Sequence, residues 1–434
     1  SAVTSTTATI SWNASLTAGV TTYEYEVRNV GNPTISGTVT GLTTNISGLI
    51  PGMVYEVYVR SVCGTSKGDW TSFPATLTTL CGVVNSNFFE GFEYTAAGSS
   101  TNPTVPSCWT YINTSGGTSA YGHVSATASR TGSNGYYTYR PSATNGDILL
   151  ISPETNNLGN GTKQIRFWAR KTSAAVTPKF EVYRMDGKTA TSTKTLLQTV
   201  NLTVDWKEYI VFLPSTTDDY FAFSFDRIAT APYVYVDDIY YEDAMPCRFP
   251  LNISLTNIAS TTATISWNTS GSSTVTSYDY EVRSSGLPGS GTTGLAASGN
   301  TTSPTVNVVG LTGATNYIVY VRSNCGAAQG IWSMYAVDFQ SACPVYDNFF
   351  EGFENTATGS GANPTSPVCW TYLNTPGGTS AYGYVSTTAA RTGSSRGYYT
   401  YRPSATDGDV LVISPETNNL GGGAKQIRFW ARKT

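Results

Sequence analysis

Charge is scarce in this chain. Only 12% of its 434 residues are Asp, Glu, Lys or Arg, and the net charge is −3. No basic stretch is present that would follow a nucleic-acid backbone, and no acidic tail. Histidine occurs once, as His123. HExxH, GxSxG and P-loop motifs are absent, and no close CxxC pair offers zinc two thiolates. No apolar run approaches the roughly 20 residues that cross a bilayer. No signal peptide is visible at the first residues, and long helical patterns are missing. These absences argue against nucleic-acid binding, a zinc centre, His-based catalysis and a membrane-spanning helix.

What the chain has is short alternating runs bounded by Gly, Pro and Asn, such as TATISW (7–12), YEVYVRSV (55–62) and YIVFL (209–213). They predict an all-β protein. A length of 434 residues exceeds one core and predicts roughly three or four domains. The chain also repeats itself. NFFEGFEY at 87–94 returns as NFFEGFEN at 348–355, and QIRFWARKT closes at Thr172 and again at Thr434, a period of 262 residues. Repetition at that period predicts a window on a longer array of β-modules, an organisation suited to connecting, displaying or adhering.

Two module types alternate. At 247–342 stand ATISWN, YDYEVR, GLTGATNYIVYVRSNCG and a loop with Trp332; residues 1–80 carry ATISWN, YEYEVR, GLIPGMVYEVYVRSVCG and Trp70. Both resemble the fibronectin type III domain, the first from its second strand onward. The resemblance implies a buried Trp12 and Trp267, and a corner at Leu49–Tyr55 and Leu311–Tyr317 where the Tyr hydroxyl bonds back to the backbone. Gly313 stands near where Pro51 forms the first corner. The longer module, 81–246, has runs at 163–170, 179–185, 206–213, 220–225 and 233–241, which predict a two-sheet jelly roll. Its FFEGFE opening, its CW pair, LLISPE (149–154) and the closing VDDIYYED resemble the MAM-like jelly rolls called cleaved-adhesin or choice-of-anchor domains. That resemblance implies a bacterial surface protein, often exported by the type IX route. Residues 343–434 repeat the front half of this module. The predicted architecture is a tandem array of fibronectin type III β-sandwiches alternating with jelly-roll β-sandwiches.

Seven cysteines are an odd number for an extracellular protein. Under the type III resemblance Cys247, at the start of the first strand, meets Cys325 at the end of the sixth. Cys81 then pairs with Cys108 and Cys343 with Cys369. Cys63 is left over, its expected partner preceding Ser1. A second scheme joins Cys81 to Cys247 and leaves Cys108 and Cys325 without obvious partners. A third possibility is reduced, buried cysteines in a cytosolic protein.

Two sets of residues are candidates for a site. Glu90 and Glu93 fall in the first strand of the long module and Asp237 and Asp238 in its last, with Glu351 and Glu354 repeating the first pair. First and last strands of a jelly roll can be neighbours, and clustered carboxylates repel unless a hard cation lies between them. The expectation is a structural Ca²⁺, which the adhesin resemblance also implies. Strand alternation sends the members of each pair to opposite faces unless a bulge intervenes. Competing readings are a solvated face, or ion pairs with Arg166 or Arg170. The second set is GYYTYRPS at 135–142 and 397–404. Tyr137 and Tyr139, like Tyr399 and Tyr401, share a face, with Arg140 and Arg402 beside them. Such a pair suits stacking on sugar rings or packing against the next module; the alternative is a set of core aromatics. His123 is replaced by Tyr384 in the second copy, which argues for a strand residue rather than a catalyst.

The leading expectation is a non-enzymatic extracellular adhesin or stalk at the cell surface, binding surface glycans or other extracellular proteins. One alternative is a carbohydrate-binding accessory region of a secreted hydrolase or protease. Another is a filament subunit whose partners are neighbouring copies. No nucleic-acid partner is expected.

Overall fold

A computed structural model of the chain describes residues 2–433 except 115–119, 141–146, 175–178, 227–232, 270, 271, 273, 376–380, 392–393 and 405–407. It divides into two compact units, Ser1–Met245 and Pro246–Thr434. Almost all regular structure is antiparallel strand, as the short alternating runs predict.

In the first unit, residues up to Thr78 form a small sandwich. Thr7–Ser11 pairs with Thr43–Ser47. The second sheet orders Ile35–Val39, Thr22–Arg28, Val54–Cys63 and Ser66–Lys67, with Ala75–Thr78 also on Val54–Cys63. Tyr55 is buried, and its hydroxyl accepts from the Ile50 amide at 2.8 Å. The same corner recurs in the second unit, where the Tyr317 hydroxyl accepts from the Thr312 amide at 2.8 Å. There Leu251–Thr256, Thr262–Asn268 and Thr305–Val309 form one sheet, and Leu295–Thr301, Ser277–Arg283, Asn316–Cys325 and their two edge partners form the other. Trp267, Tyr278, Val282 and Val319 fill the space between them. Trp12 stays half-buried against Tyr23, with ring centroids 5.7 Å apart.

The long module of the first unit is a two-sheet sandwich. One sheet orders Tyr121–Ser125, Gly135–Tyr139, Val234–Asp243, Lys163–Lys171 and Lys207–Phe212; Phe88–Glu90 also pairs with Val234–Asp243. The other orders Lys194–Val200, Lys179–Met185, Tyr220–Asp226, Ile148–Ile151 and Thr110–Asn113. Alternation along each strand fills the interior: Phe167, Phe180 and Phe223 are fully buried and pack at 4.9–5.8 Å. In the second unit the described residues of the repeat form two strand pairs, Thr371–Thr375 with Asp409–Ile413 and Tyr382–Ser386 with Gly397–Tyr401. The repeated QIRFWAR has no strand there, and Ile427, Phe429 and Trp430 are exposed. In the first copy those positions belong to Lys163–Lys171, paired on both sides by Lys207–Phe212 and Val234–Asp243.

Disulfides join Cys81 to Cys108, Cys247 to Cys325 and Cys343 to Cys369, and Cys63 is free. The pairing of Cys81 with Cys247 is thereby excluded.

Candidate functional site

The first strand lies against the last, with Glu90 opposite Ile239. Strand geometry ends at Glu90, because Phe92 takes a positive φ of 63° and turns the chain. Glu93 therefore lies in a turn rather than in the strand. The last strand carries one extra residue between the pairs Trp168–Asp237 and Arg166–Tyr240. This bulge places Asp238 at φ 50° and overrides the expected alternation, so that both Asp carboxylates reach the same loop. Asp237 Oδ2 accepts from the amides of Arg130 (2.7 Å) and Thr131 (3.2 Å). Asp238 accepts from the Arg130 guanidinium (2.7 Å) and the Thr131 hydroxyl (2.6 Å). Glu93 accepts from the amides of Ser133 (2.8 Å) and Asn134 (3.1 Å). Three carboxylates thus hold the turn 130–134 against the sheet.

The second copy has half of this arrangement. Glu354 accepts from the amides of Ser395 (3.0 Å) and Arg396 (3.3 Å), and Glu351 from that of Phe353, as Glu90 does from Phe92. Ion pairing of Glu90 or Glu93 with Arg166 does not occur: Arg166 binds Glu242 and Glu208, which hold its proton more tightly than usual.

Glu90 and Asp237 differ from the other two. Desolvation pushes the Glu90 carboxyl up to about 7, against the opposing Phe92 hydrogen bond, and the charges of Asp237 and Glu93 add to the rise. Asp237 is fully buried and is also pushed up to about 7 by desolvation, with the Asp238 charge adding. Neither forms an ion pair among the described residues. Two enclosed oxygen donors without a counter-charge suit a hard cation such as Ca²⁺. Among the described residues no group of three or more His, Cys, Asp or Glu is spaced to hold a metal. A cation here would need backbone carbonyls to complete its shell, while Asp238 is already neutralised by Arg130. A cavity of about 320 Å³ lies beside this corner, between the long module and the small sandwich, lined among others by Val30, Met53, Phe89, Glu90 and Tyr94.

The aromatic candidates sit on the outer face of the same sheet. Tyr136 points inward and is fully buried, whereas Tyr137 and Tyr139 point outward. The core-aromatic reading therefore holds for Tyr136 and fails for the pair. Cross-strand register builds a row His123–Tyr137–Tyr235–Arg170 and, beside it, a row joining Tyr121, Tyr139 and Tyr233. The Tyr137 ring lies 5.0 Å from His123 on one side and 5.1 Å from Tyr233 on the other. Its faces are covered by neighbours, so it offers a hydroxyl edge rather than a flat stacking surface. Burial, together with hydrogen bonds to the Tyr121 and Tyr233 hydroxyls, holds its proton far above the ordinary phenol range. Burial lowers the pKa of His123, keeping it neutral. In the second copy Tyr384 replaces it 5.3 Å from Tyr399, while Tyr382 and Tyr401 complete the group.

Arg140 and Arg402 are drawn away from the rows into ion pairs with Asp147 (3.9 Å) and Asp409 (3.2 Å). The cation belonging to the row is Arg170, which sequence reading had considered only as a partner for Glu. It lies 4.8 Å from the Tyr235 ring and 5.4 Å from that of Trp206. The alternation Arg166, Trp168, Arg170 along one strand is the sequence signal that would have placed it on this face.

Residues 1–77 and 249–337 match the model of the fibronectin type III domain, and residues 93–241 match the Cleaved Adhesin Domain. Similar solved structures include the K2 cleaved adhesin domain of Lys-gingipain, at 19% identity over 36% of this chain and 98% of that one, with a TM-score of 0.30. The K1 domain of Lys-gingipain from Porphyromonas gingivalis W83 is 17% identical over 37% of this chain and 100% of that one, with a TM-score of 0.30. A fibronectin type III domain of the human collagen alpha-1(XX) chain is 19% identical over 25% of this chain and 96% of that one, at 0.20. No curated protein matches the chain.

Proposed function

We infer that this chain, built of fibronectin type III and cleaved adhesin domains, is part of a non-enzymatic cell-surface or secreted adhesin. The observation that carries the reading is the tandem itself, a cleaved adhesin domain with a fibronectin type III domain on each side. The three disulfides fit an oxidising, extracellular location and export by a route such as type IX secretion. No helix among the described residues is long and apolar enough to cross a membrane. Display by such a protein needs modules that keep their shape outside the cell, and a Ca²⁺ held by Glu90 and Asp237 would brace the corner where first strand, last strand and turn 130–134 meet. The test is adhesion of beads coated with the purified chain to extracellular matrix and cell surfaces. Retention above albumin-coated beads is expected; equal retention overturns the reading.

A second reading, a carbohydrate-binding accessory region of a larger secreted enzyme, is favoured by the tyrosine rows. Its discriminating result would be binding confined to one polysaccharide. Self-association of the chain into filaments, seen by electron microscopy, would favour a filament subunit instead.

A further inference from the structure

The outer sheet face of the long module ends in an unusual cation. Arg170 closes the row His123–Tyr137–Tyr235 and lies against the rings of both Tyr235 and Trp206. It has no ion pair among the described residues, and its Nε is buried without a hydrogen-bond partner. The nearby arginines are committed elsewhere, Arg130 to Asp238, Arg140 to Asp147 and Arg166 to Glu208 and Glu242. The rows themselves contain no carboxylate.

We propose that this face binds a glycan bearing a carboxylate, such as a uronic or sialic acid unit, with the carboxylate on Arg170 and the sugar hydroxyls on the tyrosine edges. The proposal rests on the adhesin reading and names the ligand class of its surface.

Charge comes first. A half-buried guanidinium held against two aromatic rings is pre-oriented, and its planar donors match a carboxylate bidentately. One unpaired cation is too few for a nucleic-acid backbone, whose affinity comes from many phosphate contacts. The rings come second. Because Tyr137 is covered on both faces, what the rows present is a line of phenol hydroxyls joined to one another. Hydroxyl edges donate and accept, which suits a polyhydroxylated ligand better than an aliphatic one. Stacked neighbours also fix the ring rotamers, so little side-chain freedom is lost on binding. The buried Nδ1 of His123 has no partner, and in the second copy a tyrosine takes that place, again with polar hydrogen-bonding capacity. Tyr233, the exposed member, marks the accessible rim.

The test uses the whole chain in titrations with a polygalacturonate oligomer and with sialyllactose, against methyl-esterified oligomer and lactose as neutral controls. The acidic ligands are expected to bind and the neutral ones to bind at least about tenfold more weakly. Arg170→Gln should lose about tenfold for the acidic ligands only. Tyr233→Phe, which removes a rim hydroxyl and its hydrogen bond to Tyr137 but no ring packing, should weaken binding by a few-fold while the chain stays folded, with only a small drop in the melting midpoint. Equal binding of acidic and neutral sugars, or an unaffected Arg170→Gln chain, overturns the proposal. So does a chain that adheres to extracellular surfaces but binds none of these glycans, a result that leaves the adhesin reading standing. Loss of surface adhesion as well would remove both.

Discussion

Asp237 and Asp238, adjacent in the chain, both reach Arg130: one accepts its backbone amide and the other its guanidinium, each at 2.7 Å. A regular strand would send them to opposite faces. The bulge gives the sheet one residue that anchors the turn by its backbone and a second that neutralises its side chain. Replacing Asp238 by Ala should cost about 3–5 kcal/mol, because it strips a mostly buried guanidinium of its partner and leaves a β-carbon at positive φ. Urea unfolding of the chain measures it; a loss under 1 kcal/mol would mean that the pair is solvated.

The same turn sets a limit at Gly132. Its φ is 64°, and an added Cβ would stand 2.4 Å from the Glu93 carboxyl. Gly132→Ala should destabilise the long module by about 1–3 kcal/mol, and Glu93→Gln should not rescue it, since the clash is steric. Differential scanning calorimetry of the two single variants and the double variant checks both statements.

Glu90 and Asp237 make stability depend on pH in a definite direction. Both carboxyls are raised in the folded state to about 7, from ordinary values of 4.5 and 3.8. Between these limits the unfolded chain releases its protons first, so the folded state binds more protons and stability falls as pH rises. In chelator, the melting midpoint should decline from pH 4.5 to pH 7 and then level off. Calcium should raise the midpoint most above pH 7, where both groups are charged, and least at pH 4.5. A calcium effect that is equal at both pH values would place the ion elsewhere.

The cysteines give a prediction without site chemistry. Cys247–Cys325 closes a loop of 78 residues, which corresponds to about 4 kcal/mol by loop entropy. Replacing Cys247 by Ser should cost the second unit about that much, whereas Cys63→Ser should change little. Thermal melts of the two variants separate these outcomes.

Much of this was legible in the sequence, and the exceptions have physical causes. The corner tyrosines, Tyr55 and Tyr317, could be named because the residues around them match the corner of the fibronectin type III domain that both short modules resemble. The first–last strand contact followed from the jelly-roll order. The bulge could not be read, since VDDIYY looks like any alternating run and only the backbone shows Asp238 at positive φ. The strand Lys194–Val200 was missed because an edge strand that exposes most of its residues carries no alternating signal. Tyr137 and Tyr139 were placed on the correct common face. Their use as a flat platform did not follow, because strand pairing sets His123 of the adjacent strand beside the Tyr137 ring and the fold brings Tyr233 against it from far along the chain.

One contact at the edge of the long module bears on how it meets tension. Asn87, just before the first strand, donates to Asp243 at the end of the last strand at 3.1 Å, and Lys163 bonds both. The chain thus enters and leaves this domain at nearly one point. The Cys81–Cys108 disulfide closes a loop that contains Asn87 and Phe88–Glu90, so a pull arriving at Cys81 passes directly to Cys108 and spares the clasp and the strand behind it.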